Sequence, residues 1–204
     1  MIHHRLSFLA GLVLLLSSAC SWVPRPLITH DPLTSEEHLA LGQAYLAKAL
    51  YPLAKEEFLK SLARDPQNLS AHMELGNLAY EAGAFEEAGE HFQAVLKMDT
   101  GHAGASNNLA MVYLAQGSHR NEIESLARRA SDGSAVLRPY ALHTLATLYL
   151  EQGRHEEAAQ TLEEADRLAA GGPSNLRMQL AQLRRRLDAQ DVPCHPVCVS
   201  GPYR

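Results

Sequence analysis

Residues 41–66 read LGQAYLAKALYPLAKEEFLKSLARDP, and the pair that opens this stretch returns at regular distances along the chain. Leu41-Gly42 is followed by Leu75-Gly76 and then by Leu109-Ala110, so that each pair lies 34 residues after the last. A period of this size is typical of proteins built from stacked helical hairpins, each hairpin being one repeating unit. The repeat therefore predicts an all-α fold.

Small and large apolar residues recur at fixed places inside each unit. The small residues would lie where the two helices of a hairpin come closest, and the large ones would fill the space between neighbouring hairpins. No single hairpin can bury its apolar face alone, so the units are expected to stack. A fourth copy, opened by Leu145-Ala146, follows after a slip of two residues. The recurring positions are Tyr45 and Tyr113, Ala54 and Ala88, Phe58 and Phe92, and, in the fourth copy, Tyr149, Ala158, Leu162 and Ala165.

This pattern resembles the tetratricopeptide repeat, in which each unit is a pair of antiparallel helices. The resemblance implies a right-handed superhelical solenoid of about four hairpins, with a repeat domain at residues 35–172. Thr34, with Glu37 three residues later, predicts a capping box at the head of the first helix. The units would span residues 35–68, 69–102, 103–138 and 139–172.

The third unit departs from the family pattern in its second helix. Glu122 and Arg129 stand where small residues are usual, although Ile123, Leu126, Ala127 and Ala130 still form a helical stripe. Residues 131–139 contain Asp132-Gly133 and predict a connector longer than the others.

One more helix is predicted at residues 173–190. Its leucines share one face and its arginines the opposite one, as expected of a helix that caps the last apolar surface of a solenoid. We interpret the arginines as a solvated surface, with phospholipid headgroups or an acidic partner as the alternative. The leucines are Leu176, Leu180, Leu183 and Leu187, and the arginines are Arg177, Arg184, Arg185 and Arg186.

The amino terminus has the features of an export signal. Residues 1–19 have a basic start at Arg5 and an apolar run too short to span a bilayer. Leu-Ser-Ser-Ala-Cys at residues 16–20 resembles a bacterial lipobox, which implies cleavage before Cys20 and lipidation of its sulfur. Ser21 after that cysteine favours an outer membrane, and residues 20–34 would form a flexible tether. The alternative is an ordinary signal peptide cut near Ala19 with an incidental cysteine.

Two cysteines remain in the carboxy-terminal tail at residues 191–204. Cys194 and Cys198 would form a local disulfide in an oxidising compartment. With His195 they supply three candidate metal ligands, fewer than the four of a closed zinc site. Free thiols, an intermolecular bridge and a thiol or metal function therefore stay open as alternatives to the disulfide.

The sequence shows no arrangement that predicts catalysis. It has no nucleophile elbow, no phosphate-binding glycine loop and no His-Glu-x-x-His motif. His38 and His72 occupy a position where the family often has tryptophan, so we interpret them as packing residues. We expect no enzyme, no cofactor, no metal and no small-molecule substrate. The formal net charge of −5 disfavours a nucleic-acid partner.

The resemblance implies a binding surface on the concave side, formed by the first helix of each hairpin. Asparagine there can pair with peptide amides, and Met, Leu and Tyr give adaptable apolar contact. The groove has no basic clamp for a carboxylate, and Glu74 and Glu81 lie nearby, so a neutral or basic apolar segment is the expected ligand. The groove residues implied are Leu39, Gln43, Leu46, Met73, Asn77, Tyr80, Asn107, Met111, Leu114, Tyr140, His143, Thr147 and Leu150.

These features predict a non-enzymatic scaffold that binds protein or peptide partners in the bacterial envelope. Lipid would hold it to a membrane, expected to be the outer membrane, facing the periplasm. The architecture is similar to that of repeat lipoproteins that help secretins of type IV pili and secretion systems to assemble. An adaptor for an envelope protease or peptidoglycan enzyme is the alternative of the same class.

Overall fold

A computed structural model describes residues 31–190, which form a solenoid of four antiparallel helical hairpins and one closing helix. The predicted all-α solenoid with a capping helix is confirmed. The leader, most of the tether and the cysteine tail lie outside the described residues. The helices are α1 (Ser35–Leu46), α2 (Tyr51–Arg64), α3 (Leu69–Glu81), α4 (Phe85–Met98), α5 (Ala103–Gln116), α6 (Arg120–Gly133), α7 (Arg138–Glu151), α8 (His155–Ala169) and α9 (Ser174–Gln190).

The first helices of the first three hairpins begin at residues whose side chains cap them. Thr34 Oγ1 accepts from the Glu37 amide at 3.2 Å, and Glu37 Oε2 accepts from the Thr34 amide at 2.8 Å, which confirms the capping box. Asn68 and His102 cap α3 and α5 in the same way, each accepting from a backbone amide three residues later. These bonds satisfy amides that have no partner within the helix.

Glycine allows the helices of a hairpin to approach closely. A Cβ added at Gly42 would lie 2.5 Å from Phe58 Cε1, and one at Gly76 would lie 2.6 Å from Phe92 Cε1. Both phenylalanines are buried, so their rings cannot swing aside. The repeated glycine and the repeated phenylalanine are therefore two halves of one contact.

The third hairpin differs from its neighbours by one residue in its turn. Gly117 and His119 both have positive φ, 64° and 48°. Each turn has a positive-φ residue eight positions after the repeated leucine, and the second helix starts three residues after it here, at Arg120, but two residues after it in the other hairpins. The buried face of this helix is formed by Ile123, Leu126, Ala127 and Ala130. Glu122 and Arg129 are exposed because the helix is rotated by this insertion.

The predicted long connector at residues 131–139 is wrong. Helix α6 continues to Gly133, and only residues 134–137 separate it from α7, as many as in the other connectors between hairpins. The helix continues because Ala130 and Ser131 are buried, so packing outweighs the Asp-Gly signal. The second extra residue lies at the start of α7, where Pro139 occupies the first turn.

Helix α9 covers the last apolar surface. Its four leucines are buried and belong to the same core as the three preceding hairpins. The helix lies against both α8 and α7, and Arg184 Nη2 forms an ion pair with Asp166 Oδ2 of α8 at 2.6 Å. None of the helices within residues 31–190 has both the length and the apolar character that crossing a bilayer demands.

The apolar core is divided into two clusters. The larger runs from α3 to α9 without interruption. The smaller is centred on Ala54, Phe58 and Leu75, and belongs mainly to the first hairpin. The first hairpin therefore joins the rest of the solenoid through fewer apolar contacts than the other three share with each other.

Candidate binding groove

Helices α1, α3, α5 and α7 lie side by side and are linked by polar side chains. Gln43 Nε2 donates to Glu74 Oε1 at 3.3 Å between α1 and α3, and Asn108 Nδ2 donates to Asn77 Oδ1 at 2.9 Å between α3 and α5. Thr144 Oγ1 donates to Asn107 Oδ1 at 3.4 Å between α5 and α7. These bonds fix the register of the first helices.

Two neighbouring cavities open on this surface. One, of about 170 Å³, lies between α3 and α5, and the other, of about 580 Å³, lies between α1, α2 and α3. Both are lined by Asn77 and Glu81, so they form one continuous groove. Its other lining residues are Tyr80, Phe92, Asn108 and Met111 in the smaller cavity, and Leu46, Tyr51, Glu74, Leu78 and Ala82 in the larger.

Tyr80 forms the apolar wall at the centre of the groove. Its ring packs edge-on against Phe85, with 5.5 Å between the centroids. Burial, with the charge of Glu81 beside it, raises the pKa of the Tyr80 hydroxyl, which therefore stays protonated and can donate a hydrogen bond. Met111, on the opposite wall, accepts a hydrogen bond on its sulfur from Asn107 at 3.5 Å. The walls combine apolar surface with hydrogen-bonding groups.

Four of the groove residues predicted from the sequence line these cavities: Leu46, Asn77, Tyr80 and Met111. Gln43 is exposed beside the larger cavity. Six further residues are half-buried along the first helices: Leu39, Met73, Leu114, Tyr140, His143 and Thr147. Leu39 and Leu46 pack against the first-hairpin core, and Met73, Leu114 and Tyr140 against the larger core. Thr147 donates to the His143 carbonyl of its own helix.

Two of the predicted groove residues are buried. Asn107 is 5% exposed and Leu150 is 3% exposed, because α5 packs against α7 and α9 closes the fourth hairpin. Their side chains hold neighbouring helices together and leave almost no surface for a partner. One residue along an α-helix is a rotation of about 100°, which is why Asn108 lines the groove instead of Asn107.

Several residues that line the groove are not among the binding residues predicted from the sequence. Glu81 and Asn108 each follow a predicted position by one residue, and the sequence predicts Glu74 and Glu81 only as charges near the groove. Tyr51, at the start of α2, belongs to a second helix and was not expected to reach the concave side. It is 55% exposed, and this exposure is visible only in the structure.

The histidines at the tryptophan-like position are buried or half-buried among polar partners. His38 Nδ1 lies 2.7 Å from Glu57 Oε2, and both side chains are inside the first hairpin. Burial alone would raise the pKa of Glu57, but hydrogen bonds from Lys60 and His38 outweigh it and lower that pKa. In the second hairpin, His72 Nδ1 lies 3.0 Å from His91 Nδ1. Burial, together with the charge of His72, lowers the pKa of His91.

Both pairs join the two helices of one hairpin. The His38–Glu57 pair has the residue types of a catalytic dyad, but His38 is only 1% exposed and no substrate can reach it. Within residues 31–190 no three His, Cys, Asp or Glu side chains converge in a way that could hold a metal ion. Cys194, His195 and Cys198 lie outside that range, so the predicted disulfide and its alternatives stay predictions.

A row of hairpins with a continuous groove on one side defines a class of helical repeat protein that binds other proteins. Models of the tetratricopeptide repeat match residues 39–103 and residues 139–171. This chain is a tetratricopeptide repeat protein, and its repeat domain is a scaffold for protein interaction.

The sequence is similar to that of one curated bacterial protein. The TPR repeat-containing protein YpiA of Bacillus subtilis (strain 168) is 26% identical over 135 residues, which cover 66% of this chain and 31% of that protein. The chain thus spans less than a third of the length of the curated relative it matches.

Solved structures share the fold at low identity. MamA superposes with a TM-score of 0.59 at 18% identity, covering 76% of this chain and 91% of MamA. Pseudomonas aeruginosa pilF gives a TM-score of 0.60 at 23% identity, covering 78% of this chain and 72% of pilF. A chain of the APC/C hetero-tetramer Cut9-Hcn1 gives 0.65 at 20% identity, covering 76% of this chain and 30% of that one.

Proposed function

We propose that the protein is a non-enzymatic, membrane-anchored scaffold of the bacterial envelope, which holds a segment of a partner protein in its concave groove. The observation that carries this proposal is the continuous groove across α1, α3 and α5. Asn77 and Asn108 offer amides to a peptide backbone, and Tyr80 and Met111 offer apolar walls. A cavity of about 580 Å³ is large enough to receive several side chains.

The place of action is proposed from the leader. A lipidated Cys20 followed by a tether would hold the repeats close to a membrane, which we propose is the outer membrane on its periplasmic side. Two acyl chains on one residue suffice for stable anchoring, since each buried methylene contributes about 0.8 kcal/mol. A radiolabelled palmitate that enters the native protein but not Cys20→Ala would support this. Equal labelling of both would contradict it.

The pathway is proposed from architecture. A leader that resembles a lipoprotein signal, with four hairpins behind it, is similar to the repeat lipoproteins that assist secretin assembly, and pilF is among the proteins that share this fold. We propose that the scaffold acts in the assembly of a pilus or secretion complex. A deletion strain that assembles its secretins normally would refute this pathway while leaving the scaffold function intact.

The groove itself is tested by a crosslinked pull-down of the full-length protein from membranes. The test variant carries Asn77→Ala, Tyr80→Ala and Met111→Ala. The matched control carries Val136→Ala, Leu168→Ala and Met178→Ala, which truncate exposed apolar side chains that line neither groove cavity.

We expect at least one envelope protein to be recovered with the native form and the control, and lost with the groove variant. An identical set of recovered proteins from all three would show that binding does not use this groove. Recovery of a protease or peptidoglycan hydrolase as the groove-dependent protein would move the proposal to the adaptor alternative.

A further inference from the structure

The groove is acidic on α3, near one end of the concave surface. Glu81 lines both cavities and Glu74 lines the larger one. The amide of Gln43 donates to Glu74, and no lysine or arginine of residues 31–190 forms an ion pair with either carboxylate. A cation brought by a ligand would find both charges available.

The opposite end of the concave surface is basic. Helix α9 contacts α8 and α7 in the way that α7 contacts α6 and α5, so it continues the row of first helices. Arg186 on α9 is exposed, and it lies on the flank of the helix opposite Arg184, which faces α8, so Arg186 lies on the side of α7. Burial and the charge of Arg186 lower the pKa of His143 on α7. Arg184 pairs with Asp166, whereas no carboxylate in the described part of the chain pairs with Arg186.

The distance between the two ends sets the length of a ligand. Packed helices lie roughly 8–10 Å apart, so the three steps from α3 through α5 and α7 to α9 cover roughly 24–30 Å. An extended chain advances about 3.3 Å per residue, so about eight residues bridge that distance.

We infer that the groove receives an extended segment of a partner protein that is cationic at one end, apolar in the middle and anionic at the other. The lysine or arginine lies at Glu81 and Glu74, a large apolar side chain lies between Tyr80 and Met111, and a carboxylate lies at Arg186. The inference rests on the proposed function and adds the charge order of its ligand. Complementary charges contribute mainly selectivity, because like charges opposed at an interface exclude the wrong segment.

The test uses three synthetic 12-residue peptides with the full-length protein in detergent at low salt. All share a central leucine and tyrosine. The first has two lysines at one end and two glutamates at the other, the second has lysines at both ends, and the third has glutamates at both ends. Fluorescence anisotropy measures each dissociation constant against the native protein, Glu81→Lys and Arg186→Glu.

We expect the dipolar peptide to bind the native protein most tightly. Each single charge reversal should weaken it about 2- to 30-fold, since an exposed ion pair contributes about 0.2–1 kcal/mol and reversal replaces attraction by repulsion. Arg186→Glu should regain tight binding with the peptide that has lysines at both ends, because both of its charged sites are then acidic. That recovery could not follow from a fold damaged by the substitutions.

Equal binding of all three peptides, or single reversals without effect, would overturn the charge order and leave the groove as a binding site. A failure of every peptide to bind, together with unchanged recovery in the pull-down above, would overturn the groove function as well. Concentration-dependent self-association that Glu81→Lys or Arg186→Glu abolishes, with none of the peptides bound, would show instead that a second copy of the chain occupies the surface.

Discussion

A single methyl group added at Gly76 tests the contact on which the hairpins depend. The Cβ of Gly76→Ala would lie 2.6 Å from Cε1 and 2.9 Å from Cζ of Phe92, closer than any unstrained carbon contact. Overpacking of this kind costs about 1–3 kcal/mol. The gain in helix propensity from Gly to Ala offsets about 0.5–1 kcal/mol of that cost.

Gly89→Ala provides the matched control. Gly89 is also inside a helix and buried, but its added Cβ would lie 3.6 Å from Val112 Cγ1, an ordinary contact. Both substitutions gain the same helix propensity, so the difference between them isolates the steric cost. We expect Gly89→Ala to be more stable than Gly76→Ala by about 1–3 kcal/mol in free energy of unfolding. For a domain of this size, its Tm should be higher by roughly 2–12 °C.

Thermal melts of the full-length proteins, followed by circular dichroism at 222 nm, measure the difference in Tm. A second pair of melts adds Phe92→Leu, which removes the ring atoms that the new methyl group would meet. Phe92→Leu alone should destabilise the protein, but in its background the penalty of Gly76→Ala should shrink by about 0.5–3 kcal/mol. A Tm of Gly76→Ala equal to or above that of Gly89→Ala, or an undiminished penalty beside leucine, would refute the reasoning.

Three further predictions follow from the polar pairs. The pKa of Glu57 lies below its ordinary value of 4.5, so its ionised form stabilises the fold above that pH, and this contribution is lost as pH falls through the folded pKa. Glu57→Gln should therefore flatten the fall in Tm below pH 4.5. An unchanged slope of Tm against pH would contradict this. The pKa of His91 lies below 6.5, so the contribution of this group to stability is fully present above pH 6.5 and declines below it. His91→Gln should remove part of that decline, measured as Tm against pH. Glu124 accepts from Arg128, Tyr149 and Arg154, so Glu124→Ala should cost about 1 kcal/mol, or roughly 2–4 °C, whereas the exposed Glu163→Ala should leave Tm unchanged.

The repeat period predicted the positions of the hairpins because close approach leaves a mark in the sequence. Gly42 and Gly76 cannot be replaced cheaply, and Phe58 and Phe92 fill the space that they leave, so the spacing of these residues reports the spacing of the helices. Thr34 and Glu37 identified the first helix for an equally local reason, since a capping box involves only neighbouring residues.

The features that the sequence did not predict depend on backbone conformation and helix rotation, which the spacing of residues does not show. His119 adopts a left-handed conformation that any of several residues could adopt, and this one residue rotates the whole of α6. The choice between Asn107 and Asn108 for the groove depends on the packing of α5 against α7. Tyr51 lines the larger cavity from the start of a second helix, and the repeat period does not reveal this contact.

The separate core of the first hairpin has a mechanical consequence. A pull applied at Thr34 reaches α1 and α2 before any other element, and these helices hold to the solenoid through the small cluster around Ala54, Phe58 and Leu75. We expect this hairpin to unfold first under load, while the seven helices behind it keep their shared core. The chain would then lengthen by one hairpin at low force, and the remaining helices would stay folded. The smaller groove cavity, built from α3, α4 and α5, would be preserved during this extension.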